Sequence, residues 1–71
     1  MENVINAPLP GTVMEVLVEV NQKVNMNDPI LILEAMKMQN EILADCEGTI
    51  SKVLVSVGDT VNAGTPMVEI I

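Results

Sequence analysis

Gly11-Thr12-Val13-Met14-Glu15-Val16-Leu17-Val18-Glu19-Val20 returns 37 positions later as Gly48-Thr49-Ile50-Ser51-Lys52-Val53-Leu54-Val55-Ser56-Val57. Extending the match outward aligns residues 5–34 with 42–71 without a gap, and eleven of those thirty pairs are identical. Ile5/Ile42, Ala7/Ala44, Val24/Val61, Asn25/Asn62 and Pro29/Pro66 are among them, while Val13/Ile50, Leu31/Val68 and Leu33/Ile70 exchange one aliphatic side chain for another. Two copies fall short of the three or more that a solenoid needs, so the repeat predicts one closed unit in which each half supplies a matching layer of a shared core. Residues 1–71 then form a single domain of internal two-fold pseudosymmetry, with residues 34–41 joining the halves.

Each half reads as β structure. The runs 12–20 and 49–57 are dense in β-branched residues and place Val16, Val18 and Val20, or Val53, Val55 and Val57, on one face. Val13 and Ile50 sit three residues earlier and break that phase, which predicts a bulge or a sharp coil near Met14-Glu15 and Ser51-Lys52. The turn after the second run, 57–64, contains Gly58 and Gly64, and Asn21 and Asn27 occupy the corresponding places in the first half. Asn is the residue after glycine that best tolerates the left-handed region, so positive φ is expected at all four. Ile30–Leu33 and Met67–Ile71 return as short apolar strands. The expected fold is all-β, a small antiparallel sandwich or flattened barrel.

Composition narrows the function. The chain has 71 residues, no His and no aromatic residue, three Lys or Arg, ten Asp or Glu and a net charge of −7. Without imidazole and with a single cysteine, Cys46, neither a His-based triad nor a thiolate zinc site can be assembled. An expected radius of gyration of about 11 Å leaves little room for a substrate pocket beside the core. The acidic balance disfavours nucleic acid and anionic membranes, and no aromatic side chain is present on which a base could stack. The absence of a cationic leader and of a long apolar run, together with the lone thiol, points to a cytoplasmic, reduced domain, and an acidic surface that discourages self-association predicts a monomer for the isolated domain.

The joint reads Glu34-Ala35-Met36-Lys37-Met38-Gln39-Asn40-Glu41 between apolar runs, which predicts a hairpin. Its tip lacks the Asn-Gly or Asp-Gly pair usual in two-residue loops and sets a lysine between two methionines. A local rule broken in an otherwise consistent sequence marks a functional position. A primary amine at the far end of a rigid unit suits a covalent arm, and acylating it would take the net charge from −7 to −8. The amine must lose a proton in that step, and nothing near it in this chain supplies a base. Lys23 and Lys52 read as solvated charges, Glu34 and Glu41 as solubilising carboxylates rather than an acid/base pair, and Cys46 as a small, half-buried apolar residue.

Glu34-Ala35-Met36-Lys37-Met38, centred between two similar β halves and accompanied by Ala7-Pro8-Leu9-Pro10-Gly11-Thr12 and Ala44-Asp45-Cys46-Glu47-Gly48-Thr49, closely resembles the biotinyl domain of biotin carboxyl carrier proteins. The resemblance covers nearly the whole chain. It implies a barrel-sandwich hybrid of two four-stranded antiparallel sheets, with biotin amide-linked to Lys37 and with Met36 and Met38, beside Glu34 and Ala35, as features of the turn that is recognised. It also implies a carrier without catalytic groups of its own, serving a biotin protein ligase, a biotin carboxylase and a carboxyltransferase in a carboxylase or decarboxylase system. The ungapped repeat leaves no room for the protruding thumb of many acetyl-CoA carboxylase carriers, so the resemblance is to the thumbless type. Lipoyl carriers of 2-oxo acid dehydrogenase and glycine cleavage systems share the fold, but they typically set Asp before and Ala or Ser after the lysine, where Met stands on both sides here. An unmodified binding module is the remaining alternative, and no feature of the sequence favours it.

Overall fold

The computed structural model describes residues 3–71. Eight strands run in chain order as β1 (Asn3–Asn6), β2 (Gly11–Val16), β3 (Lys23–Val24), β4 (Pro29–Ala35), β5 (Met38–Leu43), β6 (Gly48–Val53), β7 (Thr60–Val61) and β8 (Pro66–Ile70). They form two four-stranded sheets, β1-β8-β6-β3 and β5-β4-β2-β7, and every pairing is antiparallel. The radius of gyration is 11.0 Å, with extents of 32 × 17 × 17 Å.

The repeat governs the core. The buried apolar residues fall into eight pairs spaced 37 apart, from Ile5/Ile42 and Val13/Ile50 to Leu33/Ile70, and Ala35 alone stands outside the pattern. The backbone obeys the same operation. Asn21 N–H donates to the Ile50 carbonyl as Gly58 N–H does to Val13, and Asn27 N–H donates to Ala44 as Gly64 N–H does to Ala7, each at 2.8 Å. Each half therefore completes the hydrogen bonding of the other, and neither makes a closed sheet alone.

Both expected bulges are present. Register slips between Val13 and Glu15 against β4, and between Ile50 and Lys52 against β8. The slip brings Val13 and Ile50 into the core while Met14 is turned outward. Asn21 and Asn27 have φ of 76° and 73°, and Gly58 and Gly64 have 95° and 87°. In each half, two such turns flank a two-residue strand, so residues 57–64 are two turns around β7 rather than a single turn.

The long runs are shorter than the sequence suggests. β2 ends at Val16 and β6 at Val53, and Val20 and Val57 are exposed instead of sharing the buried face of Val18 and Val55. The reason is topological. β2 lies in one sheet and β3 in the other, so residues 17–22 must cross between sheets, and residues 54–59 make the reciprocal crossing. Val18 and Val55 enter the core during that crossing, and two residues later the chain is already turning in solvent. Side chains hold these turns: the Glu19 and Ser56 N–H groups donate to Gln22 Oε1 and Asp59 Oδ2 at 3.0 and 2.8 Å.

Candidate functional site

The β4–β5 hairpin carries the tip. Its ladder pairs Leu31 with Ile42, Ile32 with Glu41, Leu33 with Asn40, Glu34 with Gln39 and Ala35 with Met38, leaving Met36 and Lys37 as a two-residue loop. Both loop residues are left-handed, Met36 at φ 53° and Lys37 at φ 63°. Positive φ at both central positions defines a type I′ turn, whose twist matches that of the flanking strands. Ordinary side chains in that region cost about 1–2 kcal/mol each, a strain the rest of the hairpin must offset.

That support comes from below the tip. Ala35 is buried, and β2 passes so close that a Cβ added at Gly11 would overlap the Glu34 carbonyl oxygen and lie 3.1 Å from Leu33 Cγ and 3.2 Å from Ala35 Cβ. Asn40 adds a clamp by donating from Nδ2 to the Met38 carbonyl at 3.2 Å and, more weakly, to the Leu33 carbonyl at 3.5 Å. Sequence reasoning singled out neither Gly11 nor Asn40 for the tip. The recurrence of Gly11 as Gly48 was the available signal, whereas nothing local marked Asn40.

The tip itself is open. Lys37 is exposed, Met36 is 88 % exposed and Met38 65 %, so neither methionine folds back into the core. Glu34 and Glu41 are exposed too, while Ala35 lies beneath them. Among the described residues no carboxylate comes within 4.0 Å of the Lys37 amine; the ion pair is Lys52–Glu69 at that distance, on the other sheet. Charge breaks the pseudosymmetry. The strands of the tip-bearing sheet contribute Glu15, Glu34 and Glu41, whereas Lys23 and Lys52 belong to β3 and β6 of the opposite sheet. Cys46 is half-buried against the core, 3.3 Å from Asn3 Nδ2.

An accessible primary amine on a supported turn, with no ion pair to it among the described residues, suits the attachment of a carboxylic acid as an amide. Residues 3–70 match the family described as biotin-requiring enzymes. The chain belongs to that family. Curated relatives within it include the biotin carboxyl carrier protein of Streptococcus mutans, 55 % identical over 38 residues, which are 54 % of this chain and 29 % of that one. The gamma subunit of glutaconyl-CoA decarboxylase from Acidaminococcus fermentans is 53 % identical over 36 residues, 51 % of this chain and 25 % of that subunit. The matched stretches thus cover less than a third of the length of those relatives. Among solved structures, the urea carboxylase of Kluyveromyces lactis superposes on all of the chain with a TM-score of 0.94 at 27 % identity, over 6 % of its own length. A single-chain, multi-domain long-chain acyl-CoA carboxylase gives 0.89 at 34 % identity, covering 96 % of this chain and 7 % of its own. The two-sheet architecture implied by the resemblance is thus shared with carboxylase structures.

Proposed function

We propose that the chain is a biotin carrier domain in which Lys37 holds the cofactor through an amide to its side-chain nitrogen. The observation that carries the reading is the placement of Glu34-Ala35-Met36-Lys37-Met38 on an exposed type I′ turn of a biotin-requiring fold. Bound there, biotin supplies a ureido nitrogen that takes up and gives off a carboxyl group. The chain's own contribution is to hold and present the attachment point. Gly11, Ala35 and Asn40 hold the turn stiff, Lys37 offers its amine to an activated acyl group, and Met36 and Met38 form an apolar rim for the enzymes that act on it. Catalytic groups belong to the partners, a biotin protein ligase, a biotin carboxylase and a carboxyltransferase, or a decarboxylase in the reverse direction. Tethering raises the effective concentration of the bound reactant at two separate active sites. Methionine on both sides of Lys37 and the named relatives favour biotin over a lipoyl group.

Production of the chain alongside a biotin protein ligase, followed by streptavidin capture, tests the reading. The unaltered chain is captured and Lys37→Ala is not. Failure to capture the first, or capture of the second, would sink it.

A further inference from the structure

The five methionines among the described residues are spread over very different environments. Met67 is fully buried, Met14 is 38 % exposed, Met26 61 %, Met38 65 % and Met36 88 %. A methionine ordinarily serves as an adaptable apolar filler, so an almost fully exposed one has no packing role to explain it. The left-handed turn presents the Met36 thioether to solvent from every side, and Met38 follows on the first residue of β5. The chain has no His, Trp or Tyr, and Cys46 is half-buried away from the hairpin ladder, so thioethers are the oxidisable side chains of the tip.

We propose that Met36 and Met38 form a reversible oxidation site flanking Lys37, Met36 reacting first, and that the oxidised tip is a poorer partner for the enzymes that act on that lysine. The second half of this inference rests on the carrier reading given above. In the reaction the thioether sulfur attacks one oxygen of a hydroperoxide. The O–O bond breaks, an S–O bond forms, and water or an alcohol leaves. Sulfur is oxidised by two electrons and the peroxide is reduced by two. Two dithiol-dependent methionine sulfoxide reductases, one for each sulfoxide epimer, return the thioether and release the oxygen as water. The sulfoxide is polar and chiral, and at two positions it replaces the apolar rim of the tip. Met26 provides an internal control: its exposure is close to that of Met38, but it lies on the turn between β3 and β4, outside the hairpin.

The test treats the unmodified chain with hydrogen peroxide and follows each methionine by peptide mass mapping. Met36 is expected to oxidise fastest and Met67 only when the protein unfolds. If Met26 or Met14 leads, the assignment of the site is overturned, whatever Lys37 carries. In a second arm, the initial rate of attachment by a biotin protein ligase is compared before and after oxidation, each variant against its own untreated sample. Oxidation is expected to lower the rate roughly two- to tenfold, the size that a lost thioether contact confers. The loss should disappear in Met36→Leu/Met38→Leu, persist in Met26→Leu, and be reversed by the two epimer-specific reductases acting together. An unchanged rate for the oxidised chain, or protection by Met26→Leu, overturns the functional half. An untreated chain that accepts no biotin instead rejects the carrier reading, and the mapping arm still decides the site.

Discussion

The pseudosymmetry supplies its own control for the role of the hairpin base. In Gly11→Ala the new methyl would overlap the Glu34 carbonyl oxygen and press on Leu33 and Ala35 at 3.1 and 3.2 Å. In Gly48→Ala it would meet the Ile71 carbonyl oxygen at 2.5 Å and Ile70 Cγ2 at 2.7 Å, the same clash carried over to the other sheet. Overpacking of this kind typically costs about 1–3 kcal/mol. Loss of glycine's freedom in the unfolded chain returns about 0.4–1 kcal/mol, leaving a net cost on the order of 1–2 kcal/mol. For a domain of this size that lowers Tm by roughly 4–16 °C, which thermal unfolding followed by circular dichroism resolves easily. Both variants should therefore be weakened but folded at low temperature. Only in Gly11→Ala, however, does relief of the clash move Glu34 and Ala35, the residues that lead into Met36 and Lys37. Measured well below either Tm, the rate of biotin attachment should fall at least severalfold in Gly11→Ala and stay near that of the unaltered chain in Gly48→Ala. Equal rates in the two variants would refute the idea that the close approach of β2 holds the turn in shape.

Three further outcomes follow from the same structure. Lys37→Arg keeps the charge at an exposed tip, so its stability should lie within about 0.5 kcal/mol of the unaltered chain while attachment is abolished, checked by urea unfolding and intact mass. Leu33→Ala or Ile50→Ala empties a fully buried site and should cost about 2–5 kcal/mol, enough to leave much of a domain of this size unfolded in circular dichroism. Asn27→Ala, at φ 73°, should lose about 1 kcal/mol or more in chemical denaturation, whereas Asn27→Gly should lose little, since glycine adopts that backbone without steric cost.

The sequence carried more of the fold than of the tip. Because the two halves share a core, the buried residues recur in pairs 37 apart, as the repeat implies. The phase break at Val13 and Ile50 locates both bulges, and Asn21 and Asn27 mark left-handed turns through their chemistry. The positions of Val20 and Val57 were not legible, because periodicity describes a strand and cannot say where the chain leaves one sheet for the other. The left-handed backbone of Met36 and Lys37 was equally hidden. Neither residue favours that region, and the conformation is imposed by the ladder that pairs Ala35 with Met38 and by the backbone packed beneath it. The motif named the lysine, but only the structure reveals how its turn is supported.

Of the three lysines, Lys37 is the proposed attachment point. Peptide mass mapping of the chain produced with a biotin protein ligase and excess biotin addresses it most directly. A single biotinyl group is expected, on Lys37, with Lys23 and Lys52 unmodified. A chain that remains unmodified, or that carries the group on Lys23 or Lys52, would contradict it.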